Sequence, residues 1–139
     1  MTSSPVFLDA NALIYTLDET SERHAGTVAC MQRLLSENVT LCTSHHVIEE
    51  VLHIARKIGD TGAKKVVKEI SKIPGLVLIE PDAVLAFAER YAALSDKLHM
   101  GVNDALLLQL MLDAGITRLL SYDKQFIDRA NSLNIEPLG

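Results

Sequence analysis

Asp9, Glu50, Asp104 and Asp123 are the residues whose type and placement invite chemistry. Carboxylates prefer hard divalent cations, and a group of them without interleaved cations suits Mg²⁺ or Mn²⁺. Each acid also has a plainer use. Asp9 follows the apolar run "VFL", Asp123 follows "LLSY", and each precedes a helical pattern. Either can therefore be a helix N-cap, worth about 1 kcal/mol. Two acids at two strand ends favour a site over two coincidental caps.

The other two acids lie on helices. In "HVIEEVLHIARKI", at about 100° per residue, the apolar face is Val47, Ile48, Val51, Leu52, Ile54, Ala55 and Ile58. Glu49 falls opposite, with His53 and Arg56, and reads as solvated. Glu50 falls beside Val47 and Ile54 and points to the protein body, where a charge needs a partner. In "NDALLLQLMLDAG" the wheel is apolar nearly all round, the pattern of a buried helix. Gln109 and Asp113 mark its polar edge, and Asp104 lies on the other side, between Leu108 and Met111. The helix dipole favours an acid in this first turn by about 0.3–1 kcal/mol, but does not explain why it faces inward.

If the four converge, each close pair, at about 5 Å and an effective dielectric near 20, costs roughly 3 kcal/mol. No Lys or Arg is placed among them, although Lys57 is near Glu50 on the wheel. Asn11 offers an amide oxygen or a hold on a phosphate. His46, Glu49 and His53 share a helix face and raise a zinc site, but their spacing is not His-Glu-x-x-His. His24, His45 and His99 read as structural or solvated.

Short apolar runs and amphipathic stretches alternate to position these residues. Strands are expected at 5–9, 40–43, 76–80 and 118–122, with a weaker one at 134–138. Helices are expected at 10–17, 22–37, 45–59, 62–73, 82–95, 103–114 and 124–131. That order indicates an α/β fold with a parallel sheet. Gly115 reads as a helix C-cap. Ligands of such sheets bind at the carboxyl ends of strands, where Asp9 and Asp123 stand.

The 139 residues, 48% of them hydrophobic, suit one domain over 1–139. No apolar run is long enough for a bilayer and no signal peptide is evident. Cys30 and Cys42 read as free thiols of a reducing cytoplasm. The net charge of −5 argues against a protein that grips nucleic acid by bulk charge. That charge is uneven. Residues 56–72 hold six basic residues against Asp60 and Glu69, a local +4 that leaves −9 for the remainder.

The segments "VFLDANALIY", "TSHHVIEEVLHIA" and "NDALLLQLMLDAGITRLLSYDKQF" together resemble the PIN domain family, and most narrowly the VapC-type toxins of toxin–antitoxin pairs. The resemblance runs from residue 6 to 126. It implies a three-layer fold with a central parallel sheet of four to five strands flanked by helices. It implies a Mg²⁺- or Mn²⁺-dependent ribonuclease whose acids fall on Asp9, Glu50, Asp104 and Asp123. Its small polar positions fall on Asn11 and Ser121. "SYD" departs mildly from the commoner Thr-x-Asp. The implied chemistry is hydrolysis, in which bound metal activates water and offsets charge on the phosphate, without use of the RNA 2′-hydroxyl. The implied partners are RNA, an antitoxin lying across the acidic cleft and a second copy in a homodimer. Lys64, Lys65, Lys68 and Lys72 fall within about 100° of one helix face, opposite Val66, Val67, Ile70 and Ile73. They read as a solvated face or as a rail for RNA phosphates.

Other classes fit less well. A dehalogenase-type phosphatase needs an acid two residues after the first, where this chain has Asn11. A receiver domain needs paired upstream acids and a downstream lysine, an arrangement not found. A solitary RNA-processing nuclease and a PIN-like module that only binds remain alternatives, the second opposed by the intact set of acids.

Overall fold

The structure, a computed structural model, describes residues 4–58 and 62–138. Five strands form one parallel sheet: β1 (Val6–Leu8), β2 (Leu41–Thr43), β3 (Val77–Leu78), β4 (Arg118–Leu120) and β5 (Glu136–Leu138). The helices among them are α1 (Ala10–Leu17), α2 (His24–Ser36), α3 (His45–Ile58), α4 (Ala63–Ser71), α5 (Val84–Leu98), α6 (Val102–Ala114) and α7 (Lys124–Ser132). The strand order is β3-β2-β1-β4-β5.

Successive strand residues point to opposite faces, yet all three residues of β1 and of β2 are buried. Helices therefore cover the sheet on both sides, giving three layers. α1 packs against α2, α3 and α4, α5 against α6, and α7 against β5. Val6, Phe7, Leu8, Leu41, Leu108 and Leu119 are wholly buried at the centre.

Chain order explains the position of the site. The chain winds from β1 through β2 to β3, then returns to lay β4 on the other side of β1. The carboxyl ends of β1 and β4 thus meet at the reversal point, where open α/β sheets bind ligands. The register pairs Leu8 with Leu120, so Asp9 and Ser121 emerge side by side.

Element boundaries differ from expectation in instructive places. β3 shrinks from 76–80 to two residues because it is an edge strand, with Val77 and Leu78 47% and 49% exposed. α5 begins at Val84 and runs three residues past the expected end, to Leu98. It stops at His99, which takes the left-handed conformation with φ 52° without the glycine that usually signals such a stop. α2 starts at His24 rather than residue 22. Gly59, the expected end of α3, lies outside the described residues. Gly115 caps α6 as expected, at φ 69°, and Ile116 N–H donates to Met111 O at 2.9 Å. α6 is not wholly buried, since Val102 and Leu112 are 56% and 39% exposed. No helix among the described residues is long and apolar enough to cross a membrane.

Candidate active site

Asp9 ends β1 and opens α1. Its Oδ1 accepts from Ala10 N–H at 2.8 Å, and its Oδ2 accepts from the Ser121 hydroxyl at 2.7 Å. It is only 7% exposed. Burial pushes its carboxyl above the ordinary value of 3.8, the two hydrogen bonds pull against that, and Asp123 adds to the rise. Asp123 follows β4 and is exposed. Its Oδ1 caps α7 by accepting from Gln125 N–H at 3.1 Å and Phe126 N–H at 3.3 Å. Its Oδ2 takes no hydrogen bond among the described residues. Cap and site are therefore compatible roles, because one oxygen serves the helix and the other is free.

The helical acids differ as the wheel implies. The Glu50 side chain is 33% exposed, and that of Glu49 58%. Burial raises the Glu50 carboxyl above 4.5, and so do Asp9 and Asp104, against a lowering by His46. Ser44 starts α3, its Oγ accepting from Val47 N–H at 3.2 Å, and so sets the phase that turns Glu50 inward. Asp104, half-buried in the first turn of α6, is raised by burial and by Asp123 and Asp9, against a lowering by Arg129. Asp9 is thus raised by one of the other carboxylates, and Glu50 and Asp104 by two each.

Asn11 and Ser121 knit the two strand ends together. The Ser121 hydroxyl accepts from Asp123 N–H at 3.2 Å, and Asn11 Oδ1 accepts from Tyr122 N–H at 3.1 Å. Asn11 Nδ2 reaches Ser121 Oγ at 3.5 Å. The lysines stand apart from this knot. Lys64, Lys65 and Lys68 are exposed on α4, and Lys72, just past its end, pairs with Glu69 at 2.9 Å. Val67, expected inside, is 43% exposed.

Three features went unread in the sequence. His46 is turned toward Glu50, with Nε2 3.2 Å from Oε1, while Glu49 and His53 are exposed. The three do not form a zinc site. His46 and Glu50 are four apart on one helix, so the wheel itself held that signal. The side chain facing Glu50 is thus His46, and Lys57 is exposed. Arg129 lies near Asp104 and donates to Leu98 O at 2.9 Å, a neighbourhood that only tertiary packing creates. Arg23 and Tyr122 are the third feature.

Among the described residues, no three acidic, histidine or cysteine side chains form a ready-built cation cage. The donor chemistry nonetheless fits a hard cation. The groups are oxygen-rich, Asp9, Glu50 and Asp104 are raised in pKa, one Asp123 oxygen is unengaged, and His46 Nε2 is buried without a well-formed hydrogen bond. A bound ion would offset the repulsion among the carboxylates.

A pH dependence follows. Asp9, Glu50 and Asp104 bind protons more tightly when folded than at the ordinary 3.8 to 4.5. Their contribution favours the fold at low pH and is lost as pH rises through the raised values. The metal-free melting temperature, measured relative to Asp104→Asn, is expected to fall as pH rises above that range, and saturating Mg²⁺ to restore it at neutral pH. A gap that widens in favour of wild type with rising pH would overturn this.

Comparison with known proteins places the geometry in context. A family model described as PIN domain matches residues 6–132. No curated protein matches the chain in sequence. Among solved structures, the chain is similar to Mycobacterium tuberculosis VapC20, described as a toxin that cleaves the sarcin-ricin loop. The TM-score is 0.64 at 19% identity, covering 88% of this chain and 93% of that one. It is similar to a chain of VapBC2 from Rickettsia felis bound to a promoter DNA fragment (TM-score 0.65, 14% identity, 96% of both chains). A chain of VapBC-1 from nontypeable Haemophilus influenzae matches with TM-score 0.62, at 16% identity and 96% of both chains. At these identities the likeness is one of fold.

Proposed function

The chain belongs to the PIN domain family, and from that premise we propose that it is a Mg²⁺- or Mn²⁺-dependent ribonuclease, the toxin of a type II toxin–antitoxin pair. The observation that carries the reading is the meeting of Asp9 and Asp123 at the β1/β4 reversal, within electrostatic reach of Glu50 and Asp104. Those four residues would hold the metal, which when bound supplies a more acidic water and a counter-charge for the phosphate. The chain's own groups do the positioning. Ser121 fixes Asp9 Oδ2, Asn11 ties the loop of Tyr122 to α1, and the α7 cap orients Asp123. Lys64, Lys65 and Lys68 form an exposed basic face on α4, which packs against the helix bearing Glu50, suited to phosphates of a longer RNA.

The antitoxin's place follows from charge. A cleft of carboxylates favours an inserted Arg or Lys, and two of the similar structures are VapBC complexes. By the same reading the working unit is a homodimer and the compartment is the cytoplasm.

One experiment tests the reading. Purified protein with Mg²⁺ or Mn²⁺ is expected to cut structured RNA, and EDTA or the antitoxin is expected to stop it. Cleavage that survives full chelation would remove the metal from the mechanism. An inhibiting partner seated wholly on the opposite face of the sheet would remove it from the cleft.

A further inference from the structure

Arg23, just before α2, is exposed, yet its guanidinium is held in place. Its central carbon lies 4.9 Å from the centre of the Tyr122 ring and 6.0 Å from that of Tyr15. The two rings meet edge to face, 5.3 Å apart. Thr27, wholly buried, locks the arrangement. Its single hydroxyl proton goes to Arg23 O at 2.8 Å, so the contact of 2.9 Å to the Tyr122 hydroxyl has tyrosine as donor. Tyr122 is in turn fixed from the other side through Asn11, and stands in the chain between Ser121 and Asp123.

What this assembly leaves unused is the guanidinium's hydrogen-bonding edge. Arg90 pairs with Asp113, and Arg129 donates to Leu98 O. No carboxylate or carbonyl among the described residues takes the Arg23 side chain, although Asp18, Glu19 and Glu22 are close in sequence. The contact with Tyr122 is made without using the N–H groups as hydrogen-bond donors to oxygen, so the fork remains available, and a guanidinium fork matches a phosphate with two parallel hydrogen bonds. The fork lies over the ring of Tyr122, the residue before Asp123, in a chain of net charge −5. A free positive fork held on the residue between Ser121 and Asp123 is useful to a strand that brings negative charge with it.

We propose that Arg23, seated on the Tyr122 ring, binds a backbone phosphate of the RNA strand beside the bond to be cut. This rests on the ribonuclease reading. The phosphate is read without regard to base, so Arg23 sets the strand's placement rather than its sequence. The tyrosine face is occupied by Arg23 and is not free to stack a base.

The test uses full-length protein carrying Asp104→Asn, so that RNA is bound without being cut. Fluorescence anisotropy with a labelled mixed-sequence single-stranded RNA compares that parent with the added changes Arg23→Ala and Arg23→Lys. Arg23→Ala is expected to weaken binding about tenfold, as loss of one charge-assisted contact implies. It should also lower the slope of log affinity against log salt by about 0.7. Arg23→Lys, which keeps the charge without the fork, should fall between. In the cleaving protein, Arg23→Ala should raise KM more than it lowers kcat. Equal binding and equal salt slope in parent and Arg23→Ala would overturn the proposal while leaving the nuclease intact. So would a lowered melting temperature with unchanged binding, which would make Arg23 a structural prop. A parent that binds no RNA would bring down the nuclease reading and the phosphate contact together.

Discussion

The Asp104→Asn protein is expected to cut no detectable RNA and, without metal, to melt at a higher temperature than wild type. The two effects have one origin. Asp104 is half-buried and raised in pKa by burial and by the charges of Asp123 and Asp9, only partly offset by Arg129. Asparagine keeps the size and removes the charge, so desolvation and repulsion both ease. Solvent screening at this half-exposed position limits the gain to about 1 kcal/mol, roughly 3 °C for a chain of this length. The loss of function is larger, because a carboxylate that holds the ion cannot be replaced by a neutral amide of weaker affinity. A fall of at least about 100-fold in cleavage rate is expected. Mg²⁺ should also raise the melting temperature of wild type more than that of the variant, since only binding to the folded state stabilises it. Calorimetry with and without Mg²⁺ measures both. A metal-free variant that melts lower than wild type would show that Asp104 is principally the partner of Arg129.

Glu50→Gln is expected to lose nearly all cleavage and Glu49→Gln almost none. The two positions differ by about 100° around α3. Glu50 faces Asp9 and Asp104 and touches His46. Glu49 faces solvent, with only the exposed His45 at 3.8 Å, a contact of little energetic worth. Glu49→Gln should therefore change stability by no more than about 0.5 kcal/mol. Cleavage rates at saturating Mg²⁺ decide the matter, and an inactive Glu49→Gln with an active Glu50→Gln would move the proposed ligand by one residue.

Much of this architecture was readable because it is periodic. "VFL", "LCT" and "RLL" are short apolar runs flanked by helical patterns, and they became the three central strands. Asp9 and Asp123 were readable because strand ends are. The inward turn of Glu50 was readable because the apolar face fixes a helix's phase. The exposure of β3 was not, since an edge is a property of strand order and not of "VL". The end of α5 escaped because His99 adopts a conformation that glycine normally announces. Arg129 and Arg23 escaped for another reason. Each meets its neighbour through tertiary packing, Arg129 beside α6 and the end of α5 and Arg23 on Tyr122, and no local pattern records that.

The Ser121–Asp9 hydrogen bond joins residues 112 apart, and the strand pair beneath it unites the two ends of the chain. Such long-range closure is slow relative to local helix formation. During synthesis Asp9 leaves the ribosome early and has no partner strand until β4 follows. A nascent chain stopped before residue 118 can form its first helices and pair β1 with β2, yet lacks both Ser121 and Asp123. Its carboxylates are incomplete and its β1 edge is bare. On the proposed ribonuclease reading, a growing polypeptide that has not yet added β4 and Asp123 would therefore be unable to cut the RNA that surrounds it on the ribosome.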